Sequence, residues 1–563
     1  MRCKPLFPTI AFTTMLLAGI APVAQAASAD DAEIRALKAE MASMRREMQQ
    51  QIVSLKSQVA KTDAAQKQAA HGYRASRQIS SGPVEHGVQF DDAALHKSVG
   101  PSGVGTPPSD RGDTMSWKDF KAASAKDEEV RVGGMIIGFP KGRFTVSSED
   151  GAYALSVGLA FHEDFGGFMG MSSAPGQSRG DFSGLTENAR RIRIPFTFRY
   201  KDWVANVTPD FGSGSVDGAT TDQTLYEANL NYTGLHNTIL TVGYFQPRVT
   251  EEDSESSNDF EMMERPNITN VVRNIAAGDA RFSLGGMHYE KRWWIGAYFT
   301  GQSFGDRRNN SAASYTTNNP LGGTFRVAGR PFVSKDIDLH VGLSAISSFR
   351  PATNSATGAR NYSAGGNPEL ALTSTSLLGS GTMNNVDSVW AAGPELGLRW
   401  KKLLLKAEYY NIGVTRSLGA ADYAKGMGNV NLDGYYVAAN YTLIGKGRAY
   451  NEKEGAFGAP GVEHEFDPKH GYWGALEITG RYSVSDFHDT AINGTGANAQ
   501  NGNQQTVWSG GLNWYPNRHF RVMLDFNHFM ATGNGNTNYG TMAVINEYGR
   551  SGNSLAARVQ AAF

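Results

Sequence analysis

Residues 191–200, RIRIPFTFRY, alternate without a break. Ile192, Ile194, Phe196, Phe198 and Tyr200 fall on one side; Arg191, Arg193, Thr197 and Arg199 fall on the other, with Pro195 between them. Successive side chains of a β-strand point to opposite faces, so as a strand this stretch has one oily face and one rich in arginine. A soluble sandwich would turn the polar face to bulk water. A transmembrane barrel turns the oily face to lipid and the polar face to an aqueous lumen. In a barrel these arginines line a pore, and a cationic lining attracts anions.

The rest of the chain favours the barrel. After the N-terminus there is no run of ~18 apolar residues, so no transmembrane helix is expected; barrel strands, apolar only at every second position, leave no such run. Residues 1–26 read as a signal peptide: Arg2 and Lys4, an apolar stretch over 7–20, then Ala24-Gln25-Ala26 as the cleavage site. The one cysteine, Cys3, lies in this leader, so the mature chain is expected to use neither disulfides nor thiol chemistry. The 53 basic and 54 acidic residues nearly cancel, which gives no footprint for nucleic acid.

Residues 27–70 read as a helix. Ile34, Leu37, Met41, Met44 and Met48 form an a/d seam that continues through Ile52, Leu55 and Val59 with a stutter. A periplasmic coiled coil is expected, and with it an oligomer; a lone amphipathic helix is the alternative. Residues 71–130 read as a flexible linker, too polar to fold alone. Arg111-Gly112-Asp113 lies within it and is given no role.

From 131 to 563 the pattern is strand, turn, strand. A hairpin is expected around Lys201-Asp202. Tyr226, Ala228, Leu230 and Tyr232 oppose Glu227, Asn229 and Asn231; Leu476, Ile478 and Tyr482 oppose Glu477, Thr479 and Arg481. Aromatics edge the oily faces, as an interfacial girdle requires. Polar stretches such as 305–319 suit extracellular loops. At the C-terminus Leu555, Ala557, Val559, Ala561 and Phe563 share a face opposite Arg558 and Gln560, resembling the terminal strand of bacterial outer-membrane barrels. The expected fold is all-β: a transmembrane antiparallel β-barrel with an N-terminal periplasmic α-helical coiled coil.

Several stretches resemble the phosphate-selective porin O/P family: RFTVSSEDGAYALSVG at 143–158, the run from Arg190 through Lys201-Asp202-Trp203 to Asp210-Phe211-Gly212, LYEA at 225–228, Met263-Glu264-Arg265-Pro266, Gly393-Pro394-Glu395-Leu396 and GLNWYP at 511–516. The resemblance implies a 16-stranded barrel, a homotrimer and passive uptake of small inorganic anions, phosphate or polyphosphate above all. It implies residence in outer-membrane lipid, and the N-terminal helix fits family members with a periplasmic coiled-coil extension. The alternatives are a weakly selective general porin, or a structural barrel that tethers the envelope by contact of its periplasmic coiled coil with the cell wall.

Residues 246–280 are too long for a simple hairpin and are expected to fold inward and narrow the pore. Arg248, Arg265 and Arg273 are the loop's cations; Arg190, Arg191, Arg193 and Arg199 are those of the wall. Guanidinium matches phosphate oxygens bidentately and stays charged. The competing reading makes these arginines partners of the loop carboxylates Glu251, Glu252, Asp259 and Glu264, locking the loop without selecting ions. The lysines expected of phosphate-specific members are missing, since none occurs between Lys201 and Lys291. No cofactor or metal is expected. Gly301-Gln302-Ser303-Phe304-Gly305 matches a hydrolase elbow, but a polar loop follows where a helix is needed. Glu463, His464 and Glu465 suit loop surface better than a metal, because His464 points away from its neighbours.

Overall fold

The computed structural model describes residues 109–124, 130–132, 134–170, 184–212, 225–304, 320–353, 358–373, 376–495, 499–533 and 550–563. The expected signal peptide and coiled coil lie outside these residues. A 21-stranded sheet dominates, and every pairing in it is antiparallel between neighbours. Among the described residues no helix is long and apolar enough to cross a membrane.

The stretch 191–200 spans two strand segments, Gly184–Arg193 and Phe196–Tyr200. Pro195 has no N–H for the ladder, and the break falls there. Its partner is broken at the same level, into Tyr153–Val157 and Ala160–Met169. The expected hairpin around Lys201-Asp202 is present, with Tyr200 opposite Trp203. Lys201, Asn237 and Lys401 adopt positive φ in the tight turns at this end of the sheet. Near those turns Tyr153, Tyr200, Trp203, Trp293, Trp400 and Tyr441 are exposed.

The sheet is inside-out compared with a soluble protein. Leu155, Phe198, Leu230, Leu240, Phe299, Phe325 and Leu524 are exposed, whereas Arg326, Lys406, Glu477 and Arg558 are almost fully buried. That arrangement fits an outer face in lipid. The last strand, Arg550–Ala562, pairs with Phe520–Ala531 on one side and with Ala160–Met169 on the other.

Four segments cover the inner face. One is 246–280. The second, around 360–383, carries the short pair Gly365–Gly366 and Leu378–Gly379. The third, around 446–462, carries Tyr450–Asn451 and Ala456–Phe457. The fourth is the described part of the expected linker, 109–124: residues 110–111 are buried, and a helix, Trp117–Ser124, follows. Its polar residues find fixed partners on the wall, so a segment unable to fold alone folds here by contact.

Candidate functional site

The strand Thr238–Phe245 leads into 246–280, and the chain re-enters the sheet at Arg281–Tyr289. The short helix Glu251–Ser254 is capped by Thr250, whose hydroxyl accepts the Asp253 N–H at 2.9 Å. The helix Asn267–Ala276 follows Pro266 and packs Ile268, Val271, Val272 and Ile275 in one apolar cluster with Ile346, Val389, Ile412 and Val414 of the sheet. One face of this loop is therefore held by apolar burial.

The other end is held by charge. Lys406, on the strand Leu403–Arg416, places its Nζ 2.8 Å from Glu251 and Glu252, 2.5 Å from Glu255 and 3.3 Å from Glu261. Glu251, Glu252 and Glu255 lie close enough together to share a cation, and the lysine ammonium serves as that cation. Two of the expected loop carboxylates, Glu251 and Glu252, thus belong to this latch.

The arginines gather elsewhere. Arg190, Arg191 and Arg193 from the wall and Arg265 and Arg273 from the loop line one narrow cavity, with Tyr226, Ser257, Glu264 and Asp279. Two bulges build it. The register slips between His162 and Glu163, so Arg191 pairs with His162, Ala189 pairs with Glu163, and Arg190 is the extra residue. Strict alternation would turn one of two adjacent arginines outward; the bulge lets both be buried inside. A second slip, between Thr208 and Pro209, turns Tyr226 inward, against the expected outer-face position, and stacks it 3.5 Å from the Arg193 guanidinium carbon.

Most of these guanidinium groups have close carboxylates. Arg190 donates from Nε and Nη2 to Glu264 at 2.7 and 3.0 Å. Arg193 lies 2.5 Å from Asp110 and 2.8 Å from Asp210. Arg273 pairs with Asp253 at 2.8 Å and with Asp279. Two are held more loosely. Arg191 is 4.0 Å from Glu264 and 3.3 Å from His162 Nδ1; Arg265 is 3.6 Å from Asp253. Each has a buried Nε with no hydrogen-bond partner among the described residues, and both guanidinium groups lie over the Phe260 ring, at 5.9 and 4.3 Å. Burial raises the Glu264 carboxyl, but Arg190, Arg191 and Arg558 hold it well below the usual carboxylate range. Asp279 is held low in the same way, mainly by Arg273 and Arg193. Both lining carboxylates are therefore ionised.

The remaining expected residues lie apart. Arg199 pairs with Asp113 at 3.1 Å. Arg248 pairs with Glu454 beside a second narrow cavity lined by Asn206, Asn229, Asn231 and Thr241. Asp259 makes no ion pair among the described residues; burial, opposed by Arg448 and Arg521, pushes its carboxyl up to about 7. Sequence reasoning assigned no role to Lys406, Arg448, Arg481 or Arg558 in the site. Alternation did put Arg481 and Arg558 on the polar face. Arg481 pairs with Glu369, and Arg558 with Asp164 and Glu264, so polar-face arginines on late strands were the available signal.

Residues 155–563 match the family described as phosphate-selective porin O and P. The chain belongs to that family. Membership places it among bacterial outer-membrane porins, a channel class rather than an enzyme class. Ser303 ends the strand Trp293–Ser303, and residues 305–319, where an elbow helix would have to lie, are outside the described residues.

No curated protein matches this porin's sequence. Solved structures similar to it include OmpT of Vibrio cholerae with loop L8 deleted (TM-score 0.41, 11% identity, 73% of this chain and 99% of that one). The outer-membrane channel DcaP of Acinetobacter baumannii is another (0.39, 11%, 74% and 99%). A third is an anion-selective porin from Comamonas acidovorans (0.40, 10%, 73% and 100%).

Proposed function

We propose that this chain is a passive channel for small inorganic anions, phosphate or polyphosphate in particular. On this reading the sheet is a closed barrel of sixteen long strands, each interrupted strand counted once, because the last strand pairs with Ala160–Met169. The carrying observation is the pair Arg191 and Arg265. Their guanidinium groups line one cavity, are the least compensated there, and each keeps an Nε–H without a hydrogen-bond partner among the described residues. A buried, weakly paired guanidinium is a binding site for an oxyanion, and loose holding lets the anion leave, as conduction requires. The tightly paired Arg190 and Arg273 serve mainly to fix the loop. Both sequence readings of the arginines thus apply, to different residues. The coiled coil at 27–70 is proposed to hold the barrel as a homotrimer and to reach the cell wall.

The test is phosphate block of chloride current in planar bilayers. Arg191→Gln with Arg265→Gln should raise the half-blocking phosphate concentration at least about tenfold, the equivalent of one lost charge-assisted contact of ~1.4 kcal/mol. An unchanged blocking curve would sink the assignment of these two residues.

A further inference from the structure

Two wall arginines of the expected anion path, Arg193 and Arg199, are already occupied by carboxylates of the chain's own N-terminal segment. Asp110 lies 2.5 Å from Arg193 Nη1 and also accepts from the Ser256 and Ser257 hydroxyls, each at 2.7 Å. Asp113 lies 3.1 Å from Arg199 Nη2. Between them Arg111 donates to the Asp253 carbonyl at 2.8 Å, and Arg143 donates to the carbonyls of Ser109 and Arg111, at 2.5 Å each. The segment therefore bridges the wall and the constricting loop. Burial raises the Asp110 carboxyl, but Arg193 and Arg111 pull it well below the usual carboxylate range, so it is a fixed anion.

Gly112 shows how closely the segment is seated. A Cβ there would lie 2.2 Å from Asn206 Cγ and 2.5 Å from its Oδ1. The Gly112 N–H donates to Glu227 Oε1 at 2.5 Å, and the Asp113 N–H donates to the Thr197 hydroxyl at 3.1 Å. Beyond it the chain is tied at the turn end of the sheet, where the Trp117 N–H donates to Asp202 Oδ1 at 3.0 Å and Phe120 lies under Arg199. The strap thus runs from the loop 246–280 to the turn end of the sheet, where its helix Trp117–Ser124 is tied.

We propose that residues 110–113 form a built-in anionic plug. Asp110 and Asp113 occupy wall guanidinium groups that would otherwise take a permeating anion, and full conductance requires the strap to leave the wall. Its contacts are polar and ionic, with one seated glycine, so a competing oxyanion can exchange with it in a way that it could not with an apolar plug. This inference rests on the anion-channel reading.

The test is single-channel conductance and reversal potential of the full-length protein in chloride, with two variants. Asp110→Asn with Asp113→Asn removes the charges and keeps the shape; Gly112→Val forces the strap off the wall. Both should raise chloride conductance several-fold, and the double variant should also shift the reversal potential toward the anion limit. Unchanged conductance in both variants overturns the plug, whatever the selectivity. Raised conductance in both without anion selectivity supports the plug and sinks the anion reading beneath it.

Discussion

Replacing Lys406 by Met should free the constricting loop at its charged end. The ammonium is 1% exposed and lies within 3.3 Å of four glutamates, Glu251, Glu252, Glu255 and Glu261. Breaking one partner from a buried ion pair costs about 3–5 kcal/mol, because the remaining charge is left uncompensated. Here the protein has an escape: one carboxyl can take a proton and restore the former net charge. From an ordinary glutamate value, that proton costs about 3.7 kcal/mol at pH 7 and about 1 kcal/mol at pH 5. The loss is therefore capped near the lower figure of that range at neutral pH and largely disappears in mild acid. Loop opening should rise on the order of 500-fold at pH 7 and roughly 5-fold at pH 5. Hydrogen exchange followed by mass spectrometry reads this directly, as the protection of peptides from 250–276 corrected for intrinsic rates, with strand peptides as the internal control. Lys406→Arg should keep most of the protection. Loop peptides as protected in Lys406→Met as in the parent at pH 7 would refute the latch. An effect as large at pH 5 as at pH 7 would refute its electrostatic account.

Two further outcomes follow from single residues. Asp259, with its carboxyl pushed up to about 7, favours the folded state most below the ordinary carboxylate range and loses that contribution as pH rises toward 7. Above 7 it adds a negative charge to the loop, so anion selectivity should fall between pH 6 and pH 8, and Asp259→Asn should flatten that profile; an equal slope in the variant removes Asp259 as the cause. At Gly393 a Cβ would meet the Tyr409 carbonyl oxygen at 1.7 Å, whereas at Gly510 it would meet nothing within 4 Å among the described residues. Gly393→Ala should cost about 1–3 kcal/mol in urea unfolding and Gly510→Ala little; equal midpoints would contradict the close strand approach at 393.

The strands were legible because an inside-out sheet leaves a period-two signal: Phe198 and Leu230 outside, Arg199 and Asn231 inside. The turn at Lys201-Asp202 was legible for the same reason, since two alternating runs flank it. What alternation could not show is where it fails. The bulges at Arg190 and Tyr226 shift one residue to the wrong face, and each places a functional side chain in the cavity. Nor could it show inward apolar residues such as Val389, Ile412 and Val414, which exist to receive the helix Asn267–Ala276. The partition of arginines into fixed and loosely held depends on distances between residues far apart in the chain, as with Arg558 and Asp164. Residues 109–116 were read as linker on composition, and composition says only that they cannot fold alone; the wall that orders them is supplied by distant strands.

The most direct measurement is the reversal potential of the parent protein in a planar bilayer under a potassium chloride gradient, followed by titration with phosphate. A reversal potential displaced toward the chloride equilibrium value, with current that phosphate then blocks, is the outcome expected if Arg191 and Arg265 bind permeating oxyanions. A potential near zero or displaced toward potassium, with no phosphate block, would contradict it and leave the arginines of the cavity as structural partners of the carboxylates around them.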